Sequence, residues 1–178
     1  MPEKQNKGLK MPAGKQELLD FLKTLGIPVK TTTHPAVFTV KEGEDIKQNI
    51  PGAHTKNLFL KDKKGHYFLV TTGAHSVVDL KHLHDKIGAS GRLSFGSPEK
   101  LSEYLGLYPG AVSVFGLIND KENHVTFILD KALYDHPVIN CHPMTNEATT
   151  SIAREDLVKF VRATNHEPLI IQVSEEEG

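Results

Sequence analysis

The stretch HTKNLFLKDKKGHYFLV, residues 54–70, constrains the fold more than any other part of the chain. Leu58-Phe59-Leu60 and Tyr67 to Val70 are two short apolar runs, joined by the polar, glycine-ending connection Asp62-Lys63-Lys64-Gly65. That pattern predicts a β-hairpin. Side chains alternate faces along a strand, so Lys56 shares a face with Leu58 and Leu60. An ammonium group at the head of an apolar row asks for a reason that core packing does not supply.

The remaining elements can be placed around this hairpin. KQELLDFLKTLG puts Leu18, Leu22 and Leu25 on one helical stripe widened by Leu19 and Phe21, with Gly26 at the stop. VKTTTHP reads as a strand ended by His34-Pro35. Thr39, with Glu42 three residues on, predicts a capping box at the start of a short helix. DLKHLHDKIG and SPEKLSEYLG predict two more helices; in the second, Ser97 caps, Pro98 takes the first position and Gly106 ends it. HVTFILD alternates cleanly, with Val125, Phe127 and Leu129 on one face, and VINC, TTSI and PLIIQV are further strands. EDLVKFVRA places Leu157, Phe160 and Val161 on one helical face. Strands and helices interspersed irregularly, with a hairpin among them, predict a single α/β domain with a mixed sheet. The expected organisation is a polar arm over residues 1–13, one domain over 14–173 and an acidic tail over 174–178.

A chain of 178 residues can bury a core without disulfides or metal. No apolar run approaches the roughly 20 residues that span a bilayer. The N-terminus, MPEKQNKGLKMPAGKQ, lacks the apolar segment of a secretory signal, and a single cysteine, Cys141, excludes an internal disulfide. A cytoplasmic protein with no membrane partner is expected. A net charge of −1 argues against an extended nucleic-acid interface and leaves room for a local basic patch, for which Lys56, Lys61, Lys63 and Lys64 are candidates. A solvated hairpin tip is the plainer reading of that cluster.

The chemistry open to this chain is narrow. His82-Leu83-His84 and Cys141-His142 lack zinc-site spacing, and there is no CxxC or HExxH, so no metal or other cofactor is expected. Cys141 and His142 are adjacent on a predicted strand and point to opposite faces, which makes Cys141 a buried, inert thiol rather than a nucleophile. There is no G-x-S-x-G elbow and no phosphate-binding GxxxxGK[ST] loop. YPGAVSVFGLIND, residues 108–120, is more suggestive: Gly110 and Gly116 bracket a stretch whose backbone N–H groups suit a carbonyl or oxyanion. The alternative is a turn feeding a core strand.

Four segments, taken in order, resemble a known family: HPAVFTVKEG (34–43), HTKNLFLKDKKGHYFLV (54–70), RLSFGSPEKLSEYLGLYPGAVSVFGLIND (92–120) and CHPMTNEATTSI followed by EDLVKF (141–160). The family is that of the YbaK/prolyl-tRNA synthetase-associated editing domains, in particular its freestanding Ala-tRNA(Pro) deacylase branch. The resemblance implies an α/β fold with a mixed, largely antiparallel sheet flanked by helices. It implies hydrolysis of a mischarged aminoacyl-tRNA, with the acceptor end of tRNA(Pro) as partner and prolyl-tRNA synthetase as a further one.

Residue by residue, Lys56 matches the family's lysine, expected at the phosphate and ribose of the acceptor end. Asn57 either bonds substrate or completes the turn. His142, in CHPM, matches the HPL histidine, which orients the substrate amine or a water, or serves structure. Gly110, Ala111, Val112, Ser113 and Val114 correspond to the GxxxP loop, with Val114 where the family has proline, and Met144 stands where leucine is common. Thr39, Val114 and Phe115 are expected substrate contacts. The implied mechanism has backbone N–H groups of Gly110 to Ser113 on the ester carbonyl, Lys56 on the terminal phosphate and water as nucleophile, without a covalent intermediate. Two rival readings are a non-catalytic tRNA- or synthetase-binding regulator of the same fold, and a deacylase for serine, cysteine or 2-aminobutyrate.

Overall fold

The computed structural model describes residues 11–36 and 40–175, the side chain of Val40 excepted. The expected cap and substrate contact at Thr39, most of the N-terminal arm and the last residues of the acidic tail lie outside the described residues.

The elements in chain order are α1 (Lys15–Thr24), β1 (Lys30–Thr33), α2 (Val40–Asn49), β2 (Ala53–Lys61), β3 (Tyr67–Gly73), α3 (Leu83–Ile87), β4 (Ser94–Phe95), α4 (Pro98–Leu105), a 3₁₀ helix (Val114–Asn119), β5 (Val125–Asp130), α5 (Lys131–Tyr134), β6 (Val138–Cys141), β7 (Ala148–Ala153), α6 (Arg154–Ala163) and β8 (Leu169–Ile171). The strands form one sheet in the order β1-β7-β6-β2-β3-β5-β8, with β4 added to β2. β1/β7, β6/β7, β2/β3 and β2/β4 are antiparallel, whereas β2/β6, β3/β5 and β5/β8 are parallel. The domain is thus an α/β fold with a mixed sheet flanked by helices, as the resemblance implied.

The hairpin forms as its alternation predicts, with Leu58 opposite Val70 and Phe59 opposite Leu69. Strand parity sorts its side chains into two cores. Phe59 and Leu69 join Val125, Phe127 and Leu129 beneath α1, α4 and α6, where Leu18, Leu22, Leu105, Phe115 and Phe160 are fully buried. Each such side chain contributes about 1.5–3 kcal/mol on leaving water. Leu60, Phe68, Val70 and Ile128 form a second core on the other face with Leu83 and Ile87 of α3.

Ser97 accepts from the Lys100 N–H at 3.1 Å and Gly106 closes α4 at φ 65°, both as read from the sequence. Two elements are shorter than their patterns suggest. The Asp79 carboxylate takes the Lys81 N–H at 3.1 Å and the His82 ring at 2.7 Å, so residues 79–82 form a turn and α3 begins only at Leu83. Asp130 Oδ1 accepts the Val173 N–H at 3.1 Å, drawing the chain off the ladder after Ile171. The segment after Gly110 runs into a 3₁₀ helix rather than a core strand.

Candidate active site

β2 is the organising element, because its two edges differ. On one side β3 pairs with it residue for residue from Thr55 to Lys61. On the other, β6 pairs only with Ala53 and His54, and β4 joins only at Leu60 and Lys61. Among the described residues, the edge of β2 from Lys56 to Leu58 therefore has no strand neighbour on that side, and the sheet is breached there.

Expected site residues gather around the breach from both faces. Thr55, just before it, donates from Oγ to the Asn140 carbonyl at 2.8 Å. Lys56 is half-buried, and its Nζ donates to the Ser76 carbonyl at 2.5 Å. Asn57 points the opposite way, donating from Nδ2 to the Val112 carbonyl at 3.0 Å and accepting from the Thr71 hydroxyl at 2.5 Å. The parallel register sets Ala53 against Ile139 and His54 against Asn140, and strand parity puts Lys56 on the same face as His54.

On that face lies a cleft of about 480 Å³ between α2 and the sheet, lined among others by His34, Lys47, His54, Asn140, His142 and Thr149. His75 and Glu44 pair at its rim at 3.2 Å. Three of its imidazoles have tautomers set by their partners, because a carbonyl only accepts. His142 Nδ1 donates to the Ala148 carbonyl at 3.1 Å, leaving Nε2 as the acceptor. His54 Nε2 donates to the Ile50 carbonyl at 2.9 Å, leaving Nδ1. His34 Nδ1 donates to the Pro35 carbonyl at 2.9 Å, and its Nε2 accepts from the Thr149 hydroxyl at 2.9 Å.

Burial lowers the pKa of His142, and the nearby His34, His54 and Lys47 charges lower it further, against the raising effect of the Ala148 bond. Burial likewise lowers that of His54. Burial thus favours the neutral rings of His142 and His54, with their free nitrogens as acceptors. Burial pushes the Cys141 thiol up to about 12, which removes it as a thiolate nucleophile. Among the described residues no three His, Cys, Asp or Glu side chains are grouped to hold a metal ion.

The glycine segment occupies the other side of the breach. Gly110 has φ 97°, a conformation that favours glycine, and the Ala111 N–H is committed to the Tyr108 carbonyl at 3.1 Å. Ala111, Ser113, Val114 and Phe115 are fully buried, and Ser113 Oγ accepts from the Phe115 N–H at 3.2 Å. The Tyr108 hydroxyl bonds Asn146 at 3.2 Å, tying the segment to the loop that follows His142. The implied mechanism, which brings Lys56 and the Gly110 to Ser113 backbone to one substrate, needs correcting: strand parity sends Lys56 to the histidine-lined face and leaves Asn57 as the contact with the segment. Met144 has φ 67°, in the tight turn after His142.

Sequence reasoning did not single out His34, His54, Asn140 or Thr149. For His54 a signal existed, since it precedes Lys56 by two and shares its face. Asn140 is buried, donates to the Pro51 carbonyl at 3.0 Å and accepts from Ser151, so it fixes the floor beside His54.

Comparison with known proteins bears directly on this arrangement. A family model described as an aminoacyl-tRNA editing domain matches residues 34–160, a span that contains Lys56, the glycine segment and His142. A Danio rerio protein named prolyl-tRNA synthetase associated domain-containing protein 1 is 40% identical over 159 residues, covering 88% of this chain and 86% of its own. A prolyl-tRNA editing protein, ProX, of Acetoanaerobium sticklandii is 39% identical over 153 residues, covering 85% of this chain and 93% of its own. A solved structure described provisionally as a trans-editing enzyme for prolyl-tRNA synthetase superposes with a TM-score of 0.62 at 22% identity, over 84% of this chain and 87% of that one, which shows a shared fold.

Proposed function

The chain belongs to the aminoacyl-tRNA editing domain family, and from that premise we propose that it is a trans-acting deacylase that hydrolyses Ala-tRNA(Pro). The observation that carries the reading is the half-buried Lys56 on the same strand face as His54, which with His142 lines a cleft of about 480 Å³.

An aminoacyl ester is already activated, so a positioned water and stabilisation of the developing oxyanion suffice. Water attacks the ester carbonyl carbon, the tetrahedral adduct collapses, and the C–O bond to the terminal ribose breaks. The amino acid leaves as its carboxylate, and the ribose oxygen takes a proton. His142 Nε2 is an acceptor on a neutral ring, suited to orient that water or the substrate ammonium. Lys56 exchanges the Ser76 carbonyl for the terminal phosphate when the acceptor end enters. The backbone of Gly110 to Ser113 is held against the opposite face of β2 by the bond from Asn57 to the Val112 carbonyl.

The choice of alanine follows from size. A synthetase pocket shaped for proline excludes a smaller side chain by only about 1–3 kcal/mol per missing methylene. A second site that admits alanine and rejects proline by overlap restores the discrimination. The two relatives named for prolyl-tRNA support the same tRNA here, and prolyl-tRNA synthetase as the source of the substrate.

Deacylation by the purified protein of Ala-, Ser-, Cys- and Pro-charged tRNA(Pro) tests the proposal. Release of alanine with proline retained is the expected result. Tight tRNA binding without release of any amino acid would replace the enzyme with a binding protein of the same fold. Preferential release of serine or cysteine would retain the reaction and reassign the substrate.

A further inference from the structure

β3 ends at Gly73, and the turn after it forms part of the cleft wall. Ala74 and His75 line the cleft, and the Ser76 carbonyl accepts from Lys56 Nζ. The start of the turn is held from within the hairpin: the Ala74 N–H donates to the His54 carbonyl at 2.8 Å, and the Ser76 N–H to the Gly73 carbonyl at 3.0 Å. At Val77 side-chain packing does little, because that residue is 67% exposed. The C-terminal segment of the chain holds it instead. The Glu175 N–H donates to the Val77 carbonyl at 2.7 Å, and Ser174 forms an antiparallel bridge with Val78.

That segment is itself anchored twice. Val173 is fully buried in the second core, against which Val78 packs. Asp130, also fully buried, accepts through Oδ1 the N–H groups of Val173 at 3.1 Å and Ser174 at 3.4 Å. Asp130 stands at the N-cap of α5, where an aspartate side chain commonly takes a helix N–H, yet among the described residues it makes no capping bond. Its carboxylate serves the C-terminal segment.

The carbonyl that accepts from Lys56 and the one held by Glu175 belong to consecutive residues, Ser76 and Val77. The peptide unit between them is planar, so fixing the second limits how far the first can turn. A lysine stem has many rotamers, and one that is ordered only when substrate arrives weakens binding.

We propose that residues 173–175, latched by Asp130, are a strap that presets Lys56 for the incoming phosphate. The proposal rests on the deacylase reading and adds what aims its lysine. The strap touches no substrate; Asp130 and the Glu175 backbone are positioning groups. They keep the Ser76 carbonyl where it holds the ammonium on the histidine-lined face, so the exchange of carbonyl for phosphate starts from an ordered stem.

Glu175→Pro is the decisive variant, because it deletes one N–H at an exposed residue and leaves the Asp130 latch in place. Glu175→Ala is its control: it keeps the N–H and loses only the carboxylate, which lies 3.9 Å from Lys86 Nζ. Asp130→Ala breaks the latch directly and is expected to act in the same direction; should it not fold, Glu175→Pro decides alone. Steady-state kinetics on Ala-tRNA(Pro) are measured for each variant, in the wild-type and the Lys56→Met backgrounds. Hydrogen exchange at the Lys56 ammonium is followed by 15N NMR, with Lys56→Met assigning the signal.

Glu175→Pro is expected to raise KM about three- to tenfold with kcat little changed, and to speed ammonium exchange by about tenfold or more. Glu175→Ala matches the wild type in both. In the Lys56→Met background Glu175→Pro has no further effect on kcat/KM, whereas a merely structural role would lower it in both backgrounds.

An unchanged KM in Glu175→Pro would overturn the proposal, as would an equal fall in kcat/KM in the two backgrounds. So would a wild-type Lys56 ammonium that exchanges as fast as those of exposed lysines. If the wild-type protein hydrolyses no charged tRNA, the deacylase reading fails, and ammonium exchange still decides the strap. Faster exchange in Glu175→Pro but not in Glu175→Ala supports it, and equal exchange in all three refutes it.

Discussion

Lys56 and Asn57 are chain neighbours that serve opposite faces of the sheet, Lys56 Nζ bonding the Ser76 carbonyl at 2.5 Å and Asn57 Nδ2 bonding the Val112 carbonyl at 3.0 Å. One peptide unit therefore divides a candidate substrate contact from the contact that holds the opposite wall, and substitutions at the two positions should separate activity from stability.

Lys56→Met keeps the aliphatic stem and removes the charge. Its partner is a single carbonyl in a turn, so folding should be little affected, while deacylation of Ala-tRNA(Pro) should fall by about 10²-fold or more, as for loss of other preorganised electrostatic groups. Single-turnover kinetics beside a urea melt check both halves. Wild-type turnover would remove Lys56 from the reaction.

Asn57→Ala should act on stability first. It strands the fully buried Thr71 hydroxyl and takes the donor from the Val112 carbonyl, for a cost of about 1–3 kcal/mol. A double-mutant cycle with Thr71→Val should recover part of that loss, because the second change removes the orphaned group. Additive free energies would show that the two side chains do not interact.

Acid should weaken the fold and the reaction through the same rings. The pKa of His142 and His54 is lowered, mainly by burial, from the ordinary 6.5, so below that pH the unfolded chain takes up protons that the folded state resists. Their contribution to stability is intact above pH 6.5 and is lost as pH falls through the lower folded values. The acid limb of kcat/KM on Ala-tRNA(Pro) should likewise lie below 6.5, and His142→Gln should flatten it. A limb that keeps its position in that variant assigns the titration to another group.

Val114 stands where the family resemblance expects proline, yet the segment is already fixed without a ring. Ser113 is extended at φ −157°, its Oγ takes the Phe115 N–H, and its carbonyl takes the Gly116 N–H at 3.0 Å. An extended residue followed by the first position of a 3₁₀ helix is compatible with proline next in line. Val114→Pro should therefore fold and gain up to about 1 kcal/mol by restricting the unfolded chain, with substrate preference unchanged. A shift in the alanine-to-serine ratio would show that valine itself shapes the pocket.

How much of this was legible depends on the range of the interaction. The hairpin, the Ser97–Pro98–Gly106 punctuation of α4 and the alternation of Val125 to Leu129 are local, and local physics made them readable. The divergence of Lys56 from Asn57 was readable too, from strand parity alone. The breach in β2 was not: it exists because β6 pairs in parallel with only Ala53 and His54 before leaving, and no nearby residue announces a partner more than eighty positions away. The histidine-lined cleft was hidden for the same reason, since His34, His54, His142 and Thr149 come from separate parts of the chain and share no motif. The shortened α3 turned on one competing interaction, the Asp79 carboxylate, that apolar periodicity does not register.

Cys141 lies at the end of β6, 2% exposed, between Thr55 and the core, with its thiol held protonated to about pH 12. An alkylating reagent must wait for that strand to detach before it finds a thiolate. The rate of labelling at this lone thiol accordingly gives a built-in clock for opening of the β2–β6 seam, readable without adding a probe to the protein.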